Sequence, residues 1–357
     1  MRRPCPCIGL AAVGASLLAL ASACSDARDS ASKPATAADA AAPSRAVPIL
    51  SEEPWTFGAA TGRVITTPSY RIFTTLGPGI ISSRVPEFAE TALARYRTAF
   101  GPLPPPPQTL DTYILANRPQ WSRAAAQLLG TSGAAYQQII RGGVTTGGRS
   151  ILYDIGPRDT FSLIAHEGWH QYSQSTFREP LPVWLEEGIA TVMEGFRWRA
   201  DDPAEPEFLP WSNLERFDQL RDAVNRRTLV SLPDLLAGSP AKSIEGGSDP
   251  ALTYYSQVWA LTLFLSEGDG GRYSTSLAEL LTDATRGTIS RRVRGAQGGS
   301  PGDILRARGT GPGVFLVYFD ADLDRASAAY SAFCAAVTGP KARDSAFLGR
   351  SPLPSGH

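Results

Sequence analysis

Histidine is nearly absent from this chain, and its scarcity limits the chemistry that the chain can carry. Only three histidines occur: His357 ends the chain, and His166 and His170 stand four residues apart near its middle. Histidine is the commonest protein ligand for transition metals and the side chain used most often as a general acid or base. Sites that need more than two internal histidines are therefore excluded.

Clusters of positive charge and long apolar runs are missing as well. Lysine plus arginine and aspartate plus glutamate both number 34, which gives a formal net charge of +0. Nucleic-acid-binding proteins gather basic residues on one surface, so a nucleic-acid partner is not expected. After residue 24 no stretch is long and apolar enough to cross a membrane as a helix.

The first 24 residues have the pattern of an export signal. Arginines precede an apolar run that is too short to span a bilayer, and Ala-Ser-Ala leads to Cys24. This junction is typical of a bacterial lipoprotein, so we expect residues 1–24 to direct export and Cys24 to carry a lipid that anchors the protein to the membrane. The alternative is an ordinary signal peptide cut after Ala23. Only Cys334 lies outside this segment, where it is expected to be a small buried residue.

The remaining chain falls into three regions by composition and periodicity. Residues 25–50 are rich in Ala, Ser, Asp and Pro and predict a disordered tether. Residues 51–195 alternate strand-like and helical spacing, and residues 196–357 are mostly helical in pattern. We therefore expect an α+β fold: a small mixed sheet with its helices on one side, followed by a mostly α part.

The stretch from His166 to His170 reads H-E-x-x-H, the motif of a zinc site with a neighbouring base. Asp159 or Thr160 can cap a helix over residues 161–174, in which the two histidines lie one turn apart on one face. Two imidazoles suit Zn²⁺, and Glu167 is placed to act as a general base. Gly168 weakens a helix, which indicates either simple tolerance or the close approach of another element.

A third ligand must come from elsewhere in the chain. No further internal histidine exists, so the ligand is a carboxylate or a cysteine. Downstream, residues 183–194 have helical apolar spacing, and a helix there can return antiparallel to the motif helix. Glu186 and Glu187 on that helix point about 100° apart, so only one of them is expected to face the histidines.

H-E-x-x-H followed by the run Trp-Leu-Glu-Glu-Gly-Ile-Ala at 184–190 resembles the gluzincin metallopeptidases. The aminopeptidase-N type has W-L-x-E-G-x-A at this place, and a group of bacterial secreted proteins carries a similar small domain. The resemblance implies that Glu187 is the third ligand and Glu186 is not. It further implies that the strand before the motif helix, around 150–153, is a sheet edge that pairs with a peptide substrate; an ordinary sheet edge is the alternative.

A donor for the developing oxyanion is also needed, and no histidine remains for it. Tyr254 and Tyr255 open a helical segment of suitable length. Tyr254 shares a face with apolar residues and is expected to be core, whereas the resemblance points to Tyr255 as the donor. The alternative is that both tyrosines are core residues.

The sequence thus predicts a metallopeptidase of the cell envelope with one Zn²⁺ held by His166, His170 and Glu187. Glu167 is the expected base and Tyr255 the expected oxyanion donor, and the partner is a peptide or protein substrate. Two alternatives stay open: an anchored binding or assembly protein with a structural metal or none, and a zinc amidase that acts on cell-wall material.

Overall fold

The N-terminal part is built on one mixed sheet. The computed structural model describes residues 47–130, 142–202, 205–239, 248–296 and 311–353. Six strands form the sheet in the order β1-β2-β3-β4-β6-β5. Their bounds are β1 Ser51–Phe57, β2 Ala60–Thr66, β3 Tyr70–Thr74, β4 Leu110–Leu115, β5 Val144–Thr146 and β6 Arg149–Tyr153.

Pairing within the sheet changes direction twice. Strands β1, β2 and β3 form an antiparallel meander, whereas β3, β4 and β6 are parallel neighbours. The parallel pairs are joined through α1 (Ile80–Tyr96) and α2 (Arg118–Leu129), because parallel strands need a long connection. Strand β5 then pairs antiparallel with β6 at the end of the sheet. This confirms the expected α+β class.

Helices cover both faces of the sheet, so the expectation of helices on one side is wrong. Ile114 and Leu152 belong to the main core with α1, whereas Leu115 and Ile151 belong to a smaller cluster with Trp121 of α2. Successive strand residues point to opposite faces, which is why neighbouring residues enter different clusters. Three consecutive apolar residues end each of these strands, at 113–115 in β4 and 151–153 in β6, and such runs are the sequence signal for burial on two faces.

The rest of the described chain is mostly helical. A small hairpin of β7 (Phe196–Trp198) and β8 (Pro206–Phe208) and a short 3₁₀ turn, Pro210–Ser212, precede these helices. The helices are α3 Pro157–Thr176, α4 Val183–Met193, α5 Leu214–Arg226, α6 Leu232–Ala237, α7 Ser248–Glu267, α8 Ser274–Arg286, α9 Ile289–Gly295, α10 Gly311–Tyr318, α11 Leu323–Val337 and α12 Ala342–Phe347. One apolar core runs from the sheet through α3, α4 and α7 into the C-terminal helices.

The motif helix α3 begins earlier than the sequence indicates. Its N-cap is Gly156, without a side-chain cap, and Pro157 is its first residue. Asp159 therefore lies inside the first turn, and the Thr160 hydroxyl accepts a hydrogen bond from the Ile155 N–H. Neither residue is the N-cap, because proline with its fixed φ already starts a helix well.

Gly168 on α3 is required by the close approach of α1. A Cβ at this position would lie 2.5 Å from the hydroxyl oxygen of Tyr96. That hydroxyl donates a hydrogen bond of 2.8 Å to the carbonyl of Ala165, one turn earlier on α3. Of the two interpretations of Gly168, close approach is therefore the one that the structure supports.

Gly188 has the same function on the opposite side of the site. A Cβ there would lie 2.6 Å from the carbonyl oxygen of Val258 and would also collide with the Thr262 hydroxyl. Helix α7 consequently packs directly on α4 and brings the first turns of α7 beside the glutamates of α4. The glycine of the W-L-x-E-G-x-A run thus has a packing reason in this chain.

Candidate metal centre and its surroundings

Helices α3 and α4 bring three electron-pair donors to one point. The Nε2 atoms of His166 and His170 are 3.2 Å apart, and Oε2 of Glu187 lies 3.5 and 3.7 Å from them. A tetrahedral Zn²⁺ with bonds of about 2.0–2.1 Å holds its ligand atoms about 3.3–3.4 Å apart. The triangle therefore has the dimensions of a metal site, and this group could hold a metal ion.

The three side chains also fit a cation by their hydrogen bonding. Each histidine directs its Nδ1 atom at a carboxylate: His166 at Glu194 over 2.8 Å, and His170 at Glu186 over 2.9 Å. With Nδ1–H donating, each Nε2 carries a lone pair that faces the other. Oε2 of Glu187 is buried without a hydrogen-bond partner in the described part of the chain. Three facing donors repel one another unless a cation lies between them.

Charges within this cluster shift several pKa values. Burial lowers the pKa of His166, but the carboxylates of Glu187 and Glu194 outweigh burial and raise it overall. Burial likewise lowers the pKa of His170, and the charge of Glu187 with the hydrogen bond to Glu186 raises it well above its usual range. Burial opposes ionisation of Glu187, yet the two imidazoles bring its pKa down to about 2. The site thus favours an ionised carboxylate and strongly attracts a positive charge.

Glu194 is held by a buried cation on α5. Arg216 donates from Nε to Oε2 of Glu194 over 3.1 Å and from a terminal nitrogen to Oε1 over 3.2 Å. Asn213 adds a hydrogen bond of 2.8 Å to the same carboxylate. Burial raises the pKa of Glu194, but Arg216 and His166 lower it to about 2. Glu194 is therefore ionised, and its hydrogen bonds to Arg216, Asn213 and His166 hold the carboxylate in place.

Glu186 does not point away from the site, so the expectation that only one glutamate of α4 faces the histidines is wrong. Glu187 approaches His170 at Nε2, whereas Glu186 approaches the same ring at Nδ1. The two glutamates point in different directions from the helix, as expected, but they contact the two different nitrogens of the same imidazole ring. Glu186 also accepts a hydrogen bond of 2.5 Å from the Ser173 hydroxyl.

Glu167 lies beside the donors with its two carboxylate oxygens in different surroundings. Oε2 accepts a hydrogen bond of 2.7 Å from the Thr145 hydroxyl of β5. Oε1 is buried and has no hydrogen-bond partner among the described residues. Burial raises the pKa of Glu167, although both imidazoles oppose that rise. The carboxyl group has therefore a raised proton affinity and a free oxygen, as a general base requires.

Both candidate tyrosines of α7 are buried next to this cluster. The ring of Tyr255 lies 6.3 Å from the ring of His166, and the guanidinium of Arg216 lies 5.2 Å from its centroid. The hydroxyl of Tyr254 is buried without a hydrogen-bond partner in the described residues. Burial raises the pKa of Tyr254, and the charge of Glu187 raises it further.

The strand nearest to Glu167 is not the one expected from chain order. Residues 150–153 belong to β6, which lies between β4 and β5 and is not an edge strand. The end position of the sheet is occupied by β5, the short strand before β6 in the chain. A hairpin reverses the order of these last two strands, and the expectation of an edge at 150–153 is therefore wrong. The β-type spacing of Tyr136-Gln-Gln-Ile-Ile also favours a strand at 136–140, but these residues lie outside the described part of the chain.

Several residues of this centre were not found from the sequence. Glu194 follows Glu187 by seven residues, two turns along one helical face, and this spacing is a usable signal. Thr145, Asn213 and Arg216 come from distant segments that carry no local pattern. Only the order of the strands and the packing of α5 bring them to the histidines.

Comparison with known proteins finds no matching protein-family model, no matching curated protein and no matching solved structure. No helix in the described part of the chain has the length and apolarity needed to span a bilayer. Residues 1–24, with Cys24, and most of the expected tether lie outside the described residues, as does His357.

Proposed function

We propose that this protein is a zinc-dependent hydrolase that cleaves peptide bonds, with one Zn²⁺ held by His166, His170 and Glu187. One observation supports the proposal above all others. Three buried donor atoms stand at zinc-ligand separations, and the adjacent Glu167 carries a carboxylate oxygen without a hydrogen-bond partner among the residues that the structure describes. A purely structural metal site needs the three donors but has no use for a base beside them.

The chain's own residues divide the chemical work. When bound, Zn²⁺ would act as a Lewis acid and lower the pKa of an attacking water. His166 and His170 present neutral Nε2 atoms because Glu194 and Glu186 accept their Nδ1 protons. Glu167 takes a proton from the attacking water at its carboxylate and returns it to the leaving amine.

A tyrosine of α7 donates to the developing oxyanion in this proposal. The resemblance to the gluzincins assigns Tyr255, whose ring lies against His166. The hydroxyl of Tyr254 has no hydrogen-bond partner in the described part of the chain, and the charge of Glu187 raises its pKa, so Tyr254 is a second candidate. A positioned donor of this kind contributes about 10²–10³ in kcat.

Peptides are the proposed substrate class because β5 can accept one as an added strand. Among the described strands β5 is the last of the sheet, and it lies against the base through Thr145, so an extended backbone paired with β5 would pass the metal donors. An amide of cell-wall material would need the same water chemistry and is the alternative substrate. The other alternative is a membrane-anchored binding or assembly protein, in which Glu167 would have no catalytic role.

The proposal is tested on the purified protein by metal analysis and by hydrolysis of an unfolded protein substrate. About one Zn per chain and measurable cleavage are expected, with loss of both on chelation. Glu167→Gln keeps the size of the side chain but cannot accept a proton. The variant should therefore retain zinc, and its kcat should fall by about 10²–10⁴-fold, the usual contribution of a general base. A Glu167→Gln protein that binds zinc and cleaves as well as the parent contradicts the proposal.

We also propose that the protein is exported and anchored by a lipid on Cys24, facing the periplasm or the exterior. The support is the Ala-Ser-Ala-Cys junction after a short apolar run. Mass spectrometry of the mature N-terminus is the measurement. An acylated Cys24 is expected, and an unmodified N-terminus cut at Ala23 would favour secretion without an anchor.

A further inference from the structure

The carboxylate of Glu167 is oriented by the hydroxyl of Thr145. This hydroxyl lies 2.7 Å from Oε2 of Glu167 and 3.1 Å from the backbone carbonyl of the same residue. A hydroxyl has one proton to donate, and the shorter contact to a charged acceptor is the stronger hydrogen bond. The terminal torsion of a glutamate is otherwise broad, so this bond selects one rotation of the carboxylate plane.

Gly143 limits the carboxylate from a second side. A Cβ at this position would lie 2.9 Å from Cγ, 3.2 Å from Cδ and 3.3 Å from Oε1 of Glu167. The backbone of Gly143 therefore passes directly against the carboxyl group and leaves no room for a side chain. Both contacts come from the segment that enters β5, since Val144 and Thr145 are its first residues.

The two contacts make the oxygens of Glu167 inequivalent. Oε2 is occupied by Thr145, whereas Oε1 is buried and unpartnered among the described residues. Glu167 directly follows His166 on α3, so its carboxylate is carried by the same helix as two of the metal donors. A base that acts with one fixed oxygen requires that the other oxygen be held.

We propose that Thr145 is a positioning residue that holds Oε2 of Glu167, so that Oε1 is the oxygen that accepts the proton. This inference rests on the proposed function, because it gives the orientation of the base in that reaction. It also links the base to the substrate strand: β5, which would pair with an extended peptide, carries the group that orients Glu167. In this role the hydroxyl of Thr145 acts only through Glu167.

The experiment compares Thr145→Ser and Thr145→Ala in the full-length protein. Both substitutions remove the methyl group, but only serine keeps the hydroxyl, so a difference between them reports the hydrogen bond. We expect kcat of Thr145→Ala to fall about 10–100-fold at an unchanged KM, the usual range for loss of an outer partner of a site residue. Thr145→Ser should remain within about threefold of the parent. Zinc content should be equal in both.

The matched control is Thr74→Ala, which removes another buried threonine hydroxyl from the same sheet. The Thr74 hydroxyl donates a hydrogen bond of 2.8 Å to the carbonyl of Ile114, and β3 lies three positions from β5 in the sheet, so this variant reports the general cost of losing a buried hydroxyl from a strand. Equal kcat values for Thr145→Ala and Thr145→Ser, or an equal fall in Thr74→Ala, would overturn the proposal. A zinc-loaded parent without hydrolytic activity would instead contradict the proposed function, which separates the two failures.

Discussion

The buried pair of Glu194 and Arg216 offers a test of whether the outer partners of the histidines serve stability, metal binding or both. The side chains are 5% and 1% exposed, respectively. Glu194→Gln keeps an acceptor for the His166 Nδ1 proton but removes the charge. Arg216→Met keeps an apolar stem against the ring of Tyr255 and removes the cation. The double variant Glu194→Gln with Arg216→Met removes both charges.

Stability should fall in each single variant and recover in the double variant. Removing one partner of a buried ion pair leaves an uncompensated charge, which costs about 3–5 kcal/mol. At about 2 °C per kcal/mol for a chain of this size, the melting temperature of the metal-free protein should fall by roughly 6–10 °C. The double variant buries no unpaired charge, so most of this loss should be regained.

Zinc affinity should behave differently from stability. Loss of the charged acceptor on His166 is expected to weaken zinc binding about 10–100-fold, or about 1.4–2.7 kcal/mol. This loss should persist in the double variant, because the neutral amide still replaces the carboxylate that orients and polarises the imidazole. Competition with a chromophoric chelator measures the affinity, and thermal unfolding without metal measures the stability.

The exposed pair of Arg343 and Asp218 is the control for the loss of an arginine. Its geometry is also bidentate, with both hydrogen bonds at 3.0 Å, but its side chains are 49% and 34% exposed. Arg343→Met should therefore cost less than about 1 kcal/mol. A double variant that recovers stability and also binds zinc as tightly as the parent would refute the reasoning about Glu194.

Three further predictions concern the donors themselves. Glu187→Gln should lose most of the zinc affinity, because an amide replaces a charged ligand. Glu186→Gln should weaken zinc binding only about tenfold, because Glu186 acts through its hydrogen bond to His170. Equilibrium dialysis with zinc distinguishes the two variants. One of the two variants Tyr254→Phe and Tyr255→Phe should lower kcat about 10²–10³-fold with zinc retained, and the resemblance predicts that it is Tyr255→Phe. If Tyr254→Phe is the impaired variant, Tyr254 is the oxyanion donor. The rise in melting temperature caused by zinc should grow as the pH increases above the ordinary histidine pKa of about 6.5. The raised imidazole pKa values stabilise the metal-free fold below that pH, and this stabilisation is lost as the pH rises through them, whereas zinc requires neutral imidazoles.

The three donors of the centre could be predicted from the sequence because they lie on two consecutive helices. The histidines lie one turn apart on α3, and α4 follows after a short connection, so helical periodicity brings the glutamates of α4 to the histidines. Periodicity left Glu186 and Glu187 open, and only the resemblance to the gluzincins selected Glu187. Glu186 shows the limit of the same reasoning. An angle of about 100° between neighbouring side chains excludes a shared contact atom, but it does not exclude two nitrogens of one imidazole ring.

The edge strand could not be predicted in the same way, because chain order and sheet order differ. The last strand before α3 is β6, yet the hairpin from β5 to β6 places β6 inside the sheet. Val144, Thr145 and Thr146 form too short a strand to give a periodic signal. Thr145, the hydrogen-bond partner of Glu167, lies in this three-residue strand between two glycine-rich stretches, where the sequence gives no signal for it.

The two histidines are held unequally, and this difference has a consequence for the order of metal binding. His166 is fixed by a carboxylate that Arg216 and Asn213 hold in the core, whereas the acceptor for His170 is Glu186, whose side chain is 20% exposed and held otherwise by the Ser173 hydroxyl. Water competes for an exposed carboxylate but not for a buried one, so the hydrogen bond of His170 is the weaker restraint. In the proposed metal site, an incoming cation would therefore meet His166 already oriented and His170 less firmly held. The rigid side of the centre is the side that faces α5 and α7, where the tyrosines lie.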